Sequence, residues 1–425
     1  MIDTSPANAA QRKERLHNLI DVTLKYRASS KTDLAQFLGR DNSRLYPDTD
    51  NPKLDLIVGL AQALDWPVDA VVDYVWNGEA HVSRVAGCSA PRDFATCRDE
   101  TIAALNRGDY DGALRLSQGM QSLAGSAAEK AWGLRLWGLA SEAQGHYGRA
   151  VAAYRRGLEC SPISRSERLA LQINLAGASY CQWDLTSALA VAQYVARQFV
   201  DARPADLRES VTEAVAYYVS GSSQRRLMTV QPEAVASLAQ EARGDLLRAI
   251  DLFEQIVREY EAEDCGAMAQ TCRGALLEVE AALGLLEPQN ALEQVRAALA
   301  VLEQPPDAWP KGDGLESLGW WCEFGANIAF RHLPDAQLQR YVEPFSESLL
   351  DVARLLRNWA LIERAVSIQH AMHQRIVEVT GMKLPYPLDS EHVDLIAGAV
   401  GRFPRLRGDG WEILNGAARA AARKG

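Results

Sequence analysis

The sequence predicts an all-α protein, and three observations support this fold class. Apolar residues recur at the three- and four-residue spacing of amphipathic helices through most of the chain. The 30 Gly and 17 Pro do not form the closely spaced turn signals that are typical of a β-sandwich. Beyond residue 91, a pattern of small and aromatic residues repeats itself, which is typical of stacked helical hairpins.

The composition limits the possible classes of protein. With 425 residues, 48% of them hydrophobic and 24% charged, the chain can build a sizeable core. A net charge of -10 excludes an attraction of the whole surface for nucleic acid or anionic lipid. The seven cysteines contain no C-x-x-C pair, which argues against a disulfide framework or a zinc ribbon. No signal peptide or membrane-spanning stretch is evident, so we expect a cytoplasmic protein without a membrane partner.

The N-terminal region predicts four short helices. Residues 11–27 carry leucines and isoleucine at helical spacing, and Thr32 can cap a second helix that ends at Gly39. Residues 53–64 and 67–76 then predict two more helices, the second of which starts with a proline at a favoured position.

Two segments give this order of helices a family resemblance. The segment D-L-A-Q-F-L-G, followed by N-P-K-L-D-L-I-V-G-L-A-Q-A-L-D-W, resembles the lambda-repressor-like (XRE-family) helix-turn-helix domain. The resemblance implies a recognition helix directly after Gly39, with its N-terminal side chains against base edges in the major groove. The candidate DNA-binding residues that it implies are Arg40, Asn42, Ser43, Arg44 and Tyr46.

Two features of this region favour another role. Pro47 lies where the recognition helix should continue, and a proline inside a helix costs about 3 kcal/mol, so we expect a truncated helix. Residues 1–40 hold seven Lys or Arg against four Asp or Glu, whereas residues 41–80 hold two against eight. The domain therefore either binds DNA or serves the assembly of a non-DNA-binding adaptor. If it binds DNA, the resemblance implies a homodimer on two half-sites.

The clearest repeat unit spans residues 134–162. Its small, turn, aromatic and proline positions agree with a tetratricopeptide (TPR) repeat at Gly138, Gly145, Tyr147, Ala150, Tyr154, Gly157 and Pro162. Equivalent alanines mark further units at Ala113, Ala188, Ala249 and Ala291. Their spacing is close to the ideal of about 34 residues except for one long step, in which we expect a degenerate helix pair at residues 205–230.

The resemblance to TPR arrays implies a concave groove that receives a peptide, a ligand or a partner protein. Carried over position by position, it assigns to that groove Arg98, Ile102, Trp132, Arg135, Leu139, Asn174 and Tyr180. Trp, Tyr and Arg are also enriched at binding hot spots. The alternative for each aromatic residue is packing between repeats.

The remaining motifs indicate no enzyme. His370 and His373 share a helix face without a third ligand, and G-D-G at 312–314 lacks the context of a nucleotide loop. We therefore expect no catalytic residue, metal or cofactor. The segment 402–425 is basic, with six Arg or Lys against two Asp or Glu. It predicts either a partly frayed terminus or a contact with nucleic acid or an acidic partner.

The sequence thus predicts three parts. Residues 1–80 form the helix-turn-helix-like domain, residues 92–302 the TPR-like α-solenoid, and residues 318–425 C-terminal helices that extend or cap it. A Pro- and Gly-rich stretch at 303–317 separates the last two. The leading functional hypothesis is a DNA-binding transcriptional regulator whose solenoid binds an effector, and the alternative is a TPR adaptor.

Overall fold

The computed structural model describes residues 9–26, 30–48, 51–64, 68–72, 75–76, 93–382, 388 and 390–422. The regular structure in these ranges is helical throughout, without a strand, as the all-α prediction requires. The chain forms two compact units, Met1–Arg92 and Asp93–Gly425. No helix in the described ranges is long and apolar enough to span a membrane.

The first unit is a small cluster of helices. They are α1 (Ala9–Tyr26), α2 (Lys31–Phe37), α3 (Leu54–Leu64) and α4 (Val68–Val72), with a 3-10 helix at Asn42–Arg44. Its apolar core draws on all four α-helices and includes Leu16, Ile20, Leu34, Leu56, Leu60 and Val71. The predicted helices at 11–27 and 53–64 are confirmed within a few residues, and Pro67 lies outside the described residues.

Local structure around α2 differs from the prediction in two ways. Ser30, not Thr32, is the N-cap, because its hydroxyl accepts from the backbone N–H of Asp33 while the Asp33 carboxylate accepts from that of Ser30. Gly39 ends the turn at a φ of +62°, as expected. The expected recognition helix is replaced by the three-residue 3-10 helix, which Asp41 caps by accepting from the N–H of Ser43.

The second unit is a linear array of helices, each packed mainly on its neighbours in sequence. Its first ten members are α5 (Phe94–Asn106), α6 (Tyr110–Leu123), α7 (Ala127–Ala143), α8 (Tyr147–Glu159), α9 (Arg165–Cys181), α10 (Leu185–Arg197), α11 (Leu207–Val230), α12 (Val235–Tyr260), α13 (Glu263–Ala282) and α14 (Pro288–Leu299). The C-terminal members are α15 (Asp313–His332), α16 (Asp335–Leu356), α17 (Trp359–Thr380), α18 (Ser390–Arg402) and α19 (Arg407–Ala422). This solenoid-like packing is compatible with the predicted α-solenoid.

Small residues lie where helices of the array approach most closely. A Cβ atom at Gly138 would overlap the ring of Tyr154, and one at Gly157 would lie 2.8 Å from the Leu171 side chain. Ala150 and Tyr154 are fully buried. The repeating pattern of small and aromatic residues in the sequence is therefore a packing pattern.

The long step in the repeat spacing, from Ala188 to Ala249, does not arise from the predicted degenerate helix pair. No degenerate helix pair occurs at residues 205–230, because most of that segment is the single 24-residue helix α11. The 26-residue helix α12 follows, so one unusually long hairpin accounts for the step. At 303–317, short 3-10 turns interrupt the helices, but one apolar core continues across the break from Tyr147 to Ile413.

The C-terminal basic stretch begins as packed structure, which corrects the expectation of a frayed terminus. Phe403 and Leu406 are buried, and the Phe403 ring lies 5.6 Å from that of Tyr147 at the start of α8. The Arg402 guanidinium stacks on Trp359, 3.7 Å from the ring centroid, and its Nε donates to the carbonyl of Gln144. Residues 402–406 thus join the C-terminal helices to the early hairpins of the array.

Candidate functional site

Three arginines surround one tryptophan on the early helices of the array. The Trp132 ring of α7 has the guanidinium carbons of Arg135, Arg208 and Arg98 at 4.3, 4.9 and 5.8 Å from its centroid. These residues come from α7, α11 and α5. Together with Glu167 of α9 they form what we call the Trp132 cluster. Guanidinium groups at such distances are attracted by the ring quadrupole.

Glu167 holds two of these arginines in place. Its carboxylate accepts from Nε of Arg135 at 2.9 Å and also from Arg208. The backbone N–H of Glu167 is in turn capped by the hydroxyl of Ser164. Burial lowers the pKa of Arg135, while Glu167 raises it and Arg208 lowers it further, yet a guanidinium stays protonated near neutral pH. The cluster is therefore a permanent cationic group fixed by one shared carboxylate.

The charges of the cluster differ in their exposure to solvent. The side chains of Arg98 and Arg208 are 37% and 31% exposed, and that of Arg135 is 12% exposed, whereas that of Glu167 is only 3% exposed. Arg98 pairs with the neighbouring Asp99. Three arginines thus face two carboxylates, one of which is buried beneath them. The surface that a partner would meet carries a surplus of positive charge on an aromatic floor.

The other predicted groove residues have different positions. Ile102 and Leu139 pack, like Trp132, against a small apolar core of Cys97, Met120 and Leu136, so they belong to the apolar layer that carries the indole. Asn174 lies seven residues after Glu167 on α9, and its buried Nδ2 has no hydrogen-bond partner among the described residues. Tyr180 belongs to a second group of residues deeper in the array.

That second group is a buried set of charges from four helices, which we call the interior network. It consists of Arg225, Arg226, Glu278, Glu323 and Arg364. Arg225 donates to Glu278 at 2.5 Å and to the Tyr180 hydroxyl at 3.3 Å. Glu363 also binds Arg364, and Arg331 lies 4.0 Å from Glu278, so four positive groups meet three negative ones. The central members of the network are buried and paired with one another, which indicates a structural role.

The pKa values in the interior network follow from its pairing. Burial by itself would lower the pKa of Arg225, but Glu278 and Glu323 raise it well above its ordinary value. Burial would likewise raise the pKa of Glu323, but Arg226, Arg225 and Arg364 lower it below its ordinary value. Arg225 and Glu323 are thus held in their charged forms by their partners. Sequence reasoning missed the network because its members lie up to 139 residues apart, from Arg225 to Arg364.

Trp183 connects this network to the C-terminal segment. It lies in the turn after α9 at a φ of +64°, a strained conformation for a bulky residue. The guanidinium carbons of Arg405, Arg364 and Arg226 lie 3.8, 4.5 and 4.9 Å from its ring centroid. Its strained backbone therefore places the indole where arginines from three separate helical segments converge.

The candidate DNA-binding residues are mostly engaged within the first unit. Arg40 pairs with Asp55 at 3.4 Å, and Asn42 donates to the hydroxyl of Thr32 at 3.3 Å. The Ser43 hydroxyl donates to Asp41, and that of Tyr46 donates to Asp21. Burial and the Asp21 contact raise the pKa of Tyr46 to about 12. Arg44 is exposed. The structure therefore does not present these five side chains as one row on a helix.

Within the described part of the chain, no group of three or more His, Cys, Asp or Glu could hold a metal ion. His370 is buried, and its Nε2 lies 3.0 Å from the Gln374 amide nitrogen. The buried thiols of Cys272 and Cys322 have pKa values raised by burial, which opposes formation of a reactive thiolate.

Comparison with known proteins adds no functional assignment. No protein-family model matches the chain. No curated protein matches it either. The geometry of the Trp132 cluster is therefore the main guide to function.

Proposed function

We propose that this protein is a helical-repeat adaptor or receptor that binds an acidic peptide segment of a partner on the Trp132 cluster. The observation that carries the proposal is the convergence of three guanidinium groups on one half-buried indole. Glu167 is buried and Asp99 is exposed beside Arg98, so three arginines face two carboxylates and the cluster keeps a surplus of one positive charge. This function is the adaptor alternative that the sequence leaves open.

The chemistry of the cluster favours carboxylates as its ligands. Guanidinium presents paired N–H donors that match the two oxygens of a carboxylate. The side chains of Arg208 and Arg98 are 31% and 37% exposed, so part of each remains accessible to a partner. The Trp132 ring offers apolar area beside these donors, a combination common at binding hot spots. A peptide with Asp or Glu next to an apolar side chain would satisfy both.

A peptide-library selection tests this proposal. The full-length protein would be screened against a random library displayed on phage, and so would its Arg208→Gln variant. We expect the selected sequences to be rich in Asp and Glu, with the enrichment lost in the variant. The matched control is Arg155→Gln, which removes an exposed arginine of α8. Selected sequences no more acidic than the input library would refute the proposal.

DNA binding is the second candidate function. The order of helices in the first unit and the exposed Arg44 favour it, and an effector in the second unit could then alter the DNA-binding unit. The bonds of Arg40, Asn42 and Tyr46 within the unit favour the adaptor. Selection of pooled genomic fragments at low and moderate salt separates the two functions. Enrichment of one sequence by the full-length protein, lost on deletion of residues 1–80, would establish DNA binding.

A further inference from the structure

A small pocket lies between α10, α11 and α12, and none of its lining residues belongs to the Trp132 cluster. Its volume is about 230 Å³. The lining residues are Gln193, Ala196, Arg197, Val200, Tyr217, Ser220 and Asp245. Pockets for drug-sized ligands usually measure about 300–1,000 Å³, so this one suits a smaller molecule.

Asp245 is an anion without a cationic partner in the described structure. Its half-buried carboxylate accepts from the Ser220 hydroxyl at 2.6 Å, and no Lys or Arg nitrogen of the described residues lies within 4 Å of it. Burial raises the pKa of Asp245, and Glu241 raises it further, while the Ser220 hydroxyl lowers it. A carboxylate in such a position gains stability from any positive group that enters the pocket.

Arg197, which lines the same pocket, is a cation without an anionic partner in the described structure. Its exposed guanidinium donates through Nε to the carbonyl of Gln193, at 3.2 Å, on its own helix. No carboxylate of the described residues lies within 4 Å of it. The pocket therefore contains one positive and one negative side chain that do not neutralise each other.

We propose that this pocket binds a small zwitterion, an α-amino acid, with its ammonium group on Asp245 and its carboxylate on Arg197. Tyr217, Ala196 and Val200 provide apolar and aromatic surface for the amino acid's side chain. A simple cation would be repelled by Arg197, and a simple anion would be repelled by Asp245. A ligand that carries both charges satisfies both residues, and the volume of the pocket limits its side chain to a modest size.

Calorimetric titration of the full-length protein with single amino acids tests this inference. The panel is glycine, alanine, serine and leucine, with ethylammonium chloride and sodium acetate as ligands of one charge each. We expect saturable binding of at least one amino acid and binding at least tenfold weaker for both single-charge ligands. Absence of saturable heat across the amino acids would overturn the proposal. So would ethylammonium binding as tightly as the best amino acid.

Two variants locate the binding site. Asp245→Asn and Arg197→Gln each remove one charge and keep a similar shape, so each should weaken binding about tenfold or more. The matched controls are Asp251→Asn, an exposed aspartate on the same helix as Asp245, and Arg155→Gln on α8. Circular dichroism melting verifies that all four variants fold. Amino-acid binding that survives both pocket substitutions would place the ligand elsewhere and overturn the assignment.

Discussion

Glu323 shows how single residues hold the centre of the array. Its carboxylate, 1% exposed, faces Arg225 and Arg226 at 3.4 Å and Arg364 at 3.7 Å. Removing one partner of a buried ion pair leaves an uncompensated charge, which typically costs about 3–5 kcal/mol. We expect Glu323→Gln to lower the free energy of unfolding by about that amount in urea titrations. Glu347→Gln, at an exposed site of α16, should change it by less than about 0.5 kcal/mol. Equal stabilities for the two variants would contradict the structural role of the network.

Glu142 gives a prediction about pH. Burial raises its pKa to about 8, although the Tyr154 hydroxyl lowers it in part. Between the ordinary pKa of 4.5 and about 8, the folded state binds this proton more tightly than the unfolded state. The contribution of Glu142 to stability therefore falls as pH rises through this window, by at most about 1.4 kcal/mol per pH unit.

The Glu142→Gln variant isolates this effect. It has no carboxyl to ionise, so its free energy of unfolding relative to wild type should increase from pH 6 to pH 8. Urea unfolding of both proteins at several pH values measures the difference. A difference independent of pH would show that Glu142 titrates normally in the folded protein.

At the residue scale, sequence reasoning located some groups and missed others. It assigned Arg98, Trp132 and Arg135 to one surface because the resemblance to TPR arrays places the first helix of each repeat on the concave face, and the structure brings these three together. It did not find Arg208, because the long helix α11 departs from the repeat spacing on which the assignment depended. The buried carboxylates also escaped it, since a sequence shows no difference between a solvated and a buried glutamate.

At the scale of elements, the turn between α7 and α8 depends on a glycine. Gly145 has a φ of +75°, and a Cβ there would lie 2.6 Å from the Cβ of Trp359 at the start of α17. A left-handed conformation costs a residue other than glycine about 1–2 kcal/mol, and the steric overlap adds to this. We therefore expect Gly145→Ala to destabilise the protein by more than about 1 kcal/mol in thermal and urea unfolding.

A second glycine serves as the control for Gly145. Gly119 lies inside α6, and a Cβ there would meet nothing within 4 Å. Gly119→Ala should therefore stabilise the helix by about 0.5–1 kcal/mol. Two substitutions of the same type thus have opposite expected signs. Unchanged stability of Gly145→Ala would mean that the α7–α8 turn does not contact α17 as described. Destabilisation by Gly119→Ala would mean that α6 lacks the open space described at that position.

Elements were easier to predict than their details. Helical spacing predicted α1, α3 and the hairpin around Gly145, because buried faces impose that spacing. Capping at Ser30 could have been read from the S-x-x-D pattern, yet Thr32 was an equally suitable residue by type. The replacement of the recognition helix followed from Pro47 and from the short connection to α3, which together leave room for one 3-10 turn.

At the scale of the whole molecule, the array of the second unit has contacts between distant parts of the sequence. Trp183 donates through its Nε1 to Glu363 at 3.4 Å, and the Phe403 ring packs on Tyr147. No sequence pattern indicated these contacts, because repeat spacing reports only on neighbouring hairpins. They join the turn after α9 to α17 and the start of α8 to the segment after α18.

Binding of an acidic peptide to the Trp132 cluster is tested most directly by fluorescence anisotropy of a labelled peptide from the library selection. Kd would be measured for the wild-type protein and for its Trp132→Leu, Arg208→Gln and Arg155→Gln variants at two salt concentrations. We expect Trp132→Leu and Arg208→Gln to raise Kd at least tenfold, about 1.4 kcal/mol, and Arg155→Gln to leave it unchanged. The same Kd in all four folded proteins would contradict the proposed binding site.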